Sequence, residues 1–144
     1  MGVVNFINEK KIPLPINSLS VRKVIEKSVK SLGKKSFGDV NVVVLSPKEI
    51  QKLNFKYRSK DKPTDILSFP MGSDESLGDL YLCPSYIKNS YKEFGHSLRY
   101  HYRMLLVHGV MHLYDYDHIN DSDFKEMQKV ENKALKLLAK NNLL

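Results

Sequence analysis

The stretch His108-Gly109-Val110-Met111-His112-Leu113-Tyr114-Asp115-Tyr116-Asp117-His118 places three of the chain's five histidines at offsets of zero, four and ten. His108 and His112 fall one helical turn apart on a shared face, so two imidazoles reach one ion from a single rigid helix. Were the helix to continue, His118 would stand roughly 15 Å farther along its axis, beyond the ~2 Å of a zinc–nitrogen bond. The chain is therefore expected to stop being helical and double back at Asp115-Tyr116-Asp117. Three imidazoles leave one position of a tetrahedral ion open, which separates a catalytic zinc from a closed structural one. A lone histidine is more often a satisfied core residue. From Met104 to Leu113, however, no residue is charged, so this helix is buried on most sides and its two imidazoles need polar partners, which one metal supplies to both.

A buried helix needs layers around it, and the flanking sequence provides them. Upstream, Val3 to Ile7 reads as a short strand, and a helix capped by Ser18 or Ser20 repeats Val21, Val24, Ile25 and Leu32 at helical spacing. Its Arg22, Lys23, Lys27 and Lys30 form a solvated face. Val40 to Leu45 is apolar on both sides and fits a central strand. Ser46-Pro47-Lys48-Glu49 combines a capping serine, a proline at the first helical position and a glutamate three residues after the cap, opening a short helix through Leu53. A polar connection, Lys56 to Asp65, then carries Lys56, Arg58, Lys60, Lys62 and the aromatic Tyr57, as a loop contacting phosphates would. Ile66 to Pro70 and Leu77 to Leu82 read as a hairpin across a turn at Met71 to Ser76. Pro84 opens a helix ending at Gly95, and Ser97 opens the histidine-bearing helix, which runs to about Tyr114. A last helix from Asn120 or Asp121 is expected to bury Phe124, Met127, Val130, Ala134, Leu135 and Leu138. The expected fold is α+β, one small mixed sheet of about four strands against a layer of about five helices.

A length of 144 residues fits one domain, 1–144, able to bury a core without staples. The single cysteine, Cys83, excludes an intramolecular disulfide and reads as a small buried apolar residue; with no signal peptide, it points to a reducing cytoplasm. No apolar run approaches the ~20 residues of a membrane span. Twenty-three Lys and Arg against sixteen Asp and Glu give a formal charge of +7, the electrostatic footprint of a nucleic-acid partner. The same lysines also solubilise helix faces.

The histidine segment resembles the H-G-x-x-H-L-x-G-Y-D-H signature of the YbeY family, bacterial zinc-dependent endoribonucleases of ribosomal RNA maturation. Leu53-Asn54, Tyr57-Arg58, Asp61-Lys62-Pro63-Thr64-Asp65 and Leu67-Ser68-Phe69-Pro70 are similar to the family's second motif, and Leu77-Gly78-Asp79 to a third, in the family's order. The resemblance implies one zinc per chain on His108, His112 and His118, and a contribution to activity from Arg58. It also implies action on single-stranded RNA in 3′-end maturation of the small-subunit ribosomal RNA and in ribosome quality control, with the ribosome or its proteins as partners. Lys56, Lys60 and Lys62 are candidate RNA contacts. Asp117 either orients an imidazole or caps the turn. Asp115 stands where the family has glycine.

Two other functions fit parts of the pattern. Extended zinc peptidases also place histidines at offsets zero, four and ten, but carry a glutamate as general base directly after the first, where this chain has Gly109. A non-catalytic RNA- or ribosome-binding module with a structural zinc would need a fourth ligand, such as an aspartate. His96 and His101 match no ligand spacing and read as surface or structural residues.

Overall fold

The computed structural model describes residues 2–144. Among them a four-stranded sheet and five α-helices form an α+β fold, as the periodicities indicate. The elements are β1 (Val4–Ile7), α1 (Ser18–Ser31), β2 (Asp39–Val44), α2 (Pro47–Arg58), β3 (Ile66–Pro70), β4 (Ser76–Leu82), α3 (Pro84–Ser90), α4 (Leu98–Leu113) and α5 (Asp121–Lys140), with a 3-10 turn at Tyr91–Phe94 after α3. The strand order is β1-β2-β4-β3. β1 and β4 flank β2 in parallel, while β3 returns antiparallel to β4. β2 is thus internal, in keeping with its valine run.

Alternation along the strands splits the apolar residues between two faces. Val40, Val42, Ile66, Leu80 and Leu82 join the main core with α1, α4 and α5. The opposite face carries a smaller cluster, in which Ile50 of α2 meets Leu67 and Cys83. α4 is packed against α1, α5 and the β3–β4 hairpin together, which explains why its sequence is nearly free of charge. Gly109 sets the depth of that packing. A Cβ there would come 2.9 Å from both Ile66 Cδ1 and Leu80 Cδ2, so glycine lets α4 settle onto the sheet. Gly78 of β4, at φ +151°, plays the matching part: a side chain would collide with the Phe69 carbonyl and with Leu113 of α4.

The caps differ in places from expectation. Asn17, not Ser18 or Ser20, caps α1, its side chain accepting from the Ser20 backbone N–H at 2.8 Å. The Ser46/Glu49 capping box forms as read. α2 does not stop at Leu53; it continues to Arg58 and closes with Ser59 in the left-handed conformation. Beyond the helix, the buried Asn54 donates from Nδ2 to the Lys62 carbonyl at 2.9 Å and ties the following loop to α2. α3 ends at Ser90, and the 3-10 turn carries the chain to left-handed Gly95. On α5 Met127, Ala134 and Leu138 are buried, but Phe124 is 54% exposed, one turn before the stripe that reaches the core.

Candidate metal centre

The end of α4 assembles the site. Asp115 takes φ +67°, its N–H donating to the His112 carbonyl at 3.0 Å, and the Tyr116 N–H donates to the Met111 carbonyl at 3.1 Å. This paired closure across a left-handed residue is a Schellman motif. Aspartate can hold this position because Asp and Asn enter the left-handed region more readily than other side chains. The reversed chain then brings His118 back beside the helix. Asp117 acts in the turn: its Oδ1 accepts from the His118 backbone N–H at 2.8 Å.

His108, His112 and His118 offer nitrogens that all lie within 4.8 Å of one another. Each helical imidazole is oriented from behind. His112 Nδ1 lies 2.8 Å from the Tyr116 carbonyl, an acceptor only. His108 Nδ1 lies 3.0 Å from Glu131 Oε2 on α5. With Nδ1–H donating to these acceptors, the two rings in their neutral form turn Nε2 lone pairs toward one another at 3.0 Å. Two bare lone pairs at that distance repel, and a cation between them removes the conflict. Nitrogens each ~2.0–2.1 Å from one tetrahedral ion stand about 3.3–3.4 Å apart, close to the spacing of the His108 and His112 pair. Burial first, then the neighbouring His108, pushes the His112 imidazole below its ordinary value, against the Tyr116 carbonyl and Asp117; neutral imidazole is the ligating form. The donor set fits zinc, and neither Asp115 nor Asp117 belongs to the cluster.

Glu131 was missed at the level of sequence, although a signal existed. With Met127, Ala134 and Leu138 it follows the spacing of the apolar stripe of α5, and a carboxylate on a buried stripe needs a partner.

The three histidines line a cleft of about 610 Å³ that also contains Arg58, Asp115, Asp117, Glu131 and the edge of β3. Arg58 reaches it from the last turn of α2 rather than from a loop. Among the described residues it has no carboxylate partner. Lys56, Lys60 and Lys62 are exposed but do not line the cleft; Lys56 Nζ sits 5.2 Å from the centre of the Tyr57 ring. His101 is not a surface residue. It is 1% exposed, its Nδ1 lies 2.7 Å from His96 Nε2, and it borders the same cleft two turns before His108.

A central sheet with α4 across it, an open three-imidazole cluster and a free guanidinium in one cleft define a class: an α+β protein with a candidate hydrolytic metal centre. The profile of the family "Endoribonuclease YbeY" matches residues 4–139. Endoribonuclease YbeY of Francisella tularensis subsp. tularensis (strain SCHU S4) is 34% identical over 145 residues, covering 94% of this chain and 83% of the relative. The protein of that name from Buchnera aphidicola subsp. Acyrthosiphon pisum (strain APS) is 37% identical over 133 residues, covering 89% and 83%. The solution structure of TM1509 from Thermotoga maritima superposes with a TM-score of 0.61 at 26% identity, covering 98% of this chain and 95% of the other. The chain belongs to the endoribonuclease YbeY family. Among the described residues no helix is long and apolar enough to cross a membrane.

Proposed function

We propose that this protein is a zinc-dependent, single-strand-specific endoribonuclease that matures the 3′ end of the small-subunit ribosomal RNA and takes part in ribosome quality control, in the cytoplasm and with the ribosome or its proteins as partners. The observation that carries the reading is the pair of helical imidazoles, both with Nδ1 engaged and both Nε2 atoms turned to one point, beside an unpaired arginine. His108, His112 and His118 would hold the metal. Bound there, zinc supplies Lewis acidity for phosphodiester cleavage. Arg58 binds the scissile phosphate, its guanidinium forking onto the oxygens where charge develops. Glu131 and the Tyr116 carbonyl keep two imidazoles in the ligating tautomer. Asp117 holds the turn that presents His118.

The peptidase alternative meets an obstacle in packing. Its general base would occupy position 109, where a Cβ would already crowd Ile66, Leu80 and Ser68 of the sheet. The structural-zinc alternative lacks a fourth donor in the cluster. Cleavage of a single-stranded RNA spanning the small-subunit 3′ end, compared with the same RNA annealed to its complement, tests the proposal. Cutting of the single strand alone, abolished by chelator, is the expected outcome; equal cutting of the duplex or indifference to chelator would refute it.

A further inference from the structure

The cleft extends along α4 to a second group of rings. His101, Met104, Leu105, His108 and His112 follow one another at helical spacing along its floor, and His101 lies two turns, roughly 10 Å, from His108. Beside His101 stands Phe94 from the 3-10 turn, with ring centroids 4.9 Å apart. His96 stacks on Phe94 at 5.9 Å and 19°. The two imidazoles are joined at 2.7 Å, and His101 Nε2 is buried with no partner among the described residues.

Phe94 nevertheless remains 56% exposed on the cleft wall. A phenyl ring left partly in water forgoes some of the stabilisation that burial would give, and this one closes a 3-10 turn that ends at left-handed Gly95. An uncharged aromatic face in a cleft that also offers an arginine is suited to an unpaired nucleobase, since every base has a π-face to stack. A duplex has no free face to offer.

We propose that Phe94, backed by His96 and His101, is a stacking platform for a nucleobase of single-stranded RNA and seats a nucleotide neighbouring the one that is cut. The proposal rests on the ribonuclease reading above and supplies it with a physical source of single-strand preference. Phe94 offers no hydrogen-bonding edge, so the platform accepts any base.

The chain has no tryptophan, which gives a direct test. In the zinc-loaded Phe94→Trp variant the single indole reports stacking, because a base laid on it quenches its fluorescence. A short 2′-O-methyl RNA, which resists cleavage, should quench it on binding, and the same oligonucleotide with an abasic unit at the stacked position should not. Phe94→Leu, apolar but unable to stack, should bind the intact oligonucleotide about tenfold more weakly than the native chain, with zinc content unchanged. Binding seen by anisotropy without quenching, or equal affinity of the Leu and native chains, would overturn the proposal. Both readouts are of binding. Failure of the nuclease reading would instead appear as native protein that binds and stacks single-stranded RNA but does not cut it.

Discussion

Glu131 and His108 form a contact that reaches the candidate metal centre from outside its own segment. Their 3.0 Å hydrogen bond fixes the His108 tautomer, so Glu131→Gln, which keeps the shape and removes the charge, should weaken zinc affinity about 10- to 100-fold. Competition against a chromogenic chelator measures this, and native affinity in the variant would show the contact to be incidental. His112→Ala removes a proposed ligand and should abolish tight binding altogether; unchanged zinc content would remove His112 from the site. His108 and His112 could be placed together from sequence because helical spacing specifies their direction, whereas bringing His118 beside them required the helix to end and the chain to turn at Asp115-Tyr116-Asp117, as it does. Glu131 could not be placed in the same way. Its position depends on how α5 packs across α4, and its only trace in the sequence is an acid at an apolar position of a helix. His101 falls on the structural side of its reading as a surface or structural residue, but its burial against a ring could not be told from spacing, which says nothing of packing.

The turn after α4 is the element that turns spacing into geometry. Asp115 already occupies the left-handed conformation, so Asp115→Gly should keep zinc affinity and gain up to about 1 kcal/mol of stability. Asp115→Val should lose both, since a β-branched side chain is strained there. Severe loss of zinc in the glycine variant would instead make the carboxylate a ligand. α4 itself is held to the sheet through Gly109. Gly109→Glu, which would supply the base of a zinc peptidase, should destabilise by more than about 3 kcal/mol through overpacking and a buried charge. An undisturbed melting temperature would mean that a side chain at 109 finds room. Strands and helix starts were visible from alternation and caps, but the end of α2 was not. Its last turn reads as a polar loop, whereas the structure closes it across left-handed Ser59, with the Ser59 and Lys60 N–H groups donating to the Phe55 and Asn54 carbonyls and Asn54 Nδ2 donating to the Lys62 carbonyl.

At the scale of the molecule, charge and burial set the response to solution conditions. With a net charge of +7, binding to single-stranded RNA should weaken steeply as salt rises from low to physiological levels. Arg58→Ala should reduce turnover more than binding, because one phosphate contact of several is lost while charge developing at the scissile phosphate loses its cation; equal losses would move Arg58 away from that phosphate. Burial is also the leading cause that holds His101 and His112 below their ordinary values. The unfolded chain takes up these protons near about pH 6.5, where the folded protein resists them, so metal-free stability should fall as pH drops through that point and be independent of both rings above it. Thermal melting across the range checks the sign, and a melt insensitive to pH would show that both rings protonate freely when folded. The most direct test of the metal centre is RNA cleavage followed while zinc is titrated into chelator-stripped protein. Activity should rise from background to a plateau at about one zinc per chain, whereas full activity in the stripped protein, or none at full zinc occupancy, would contradict a zinc-dependent nuclease.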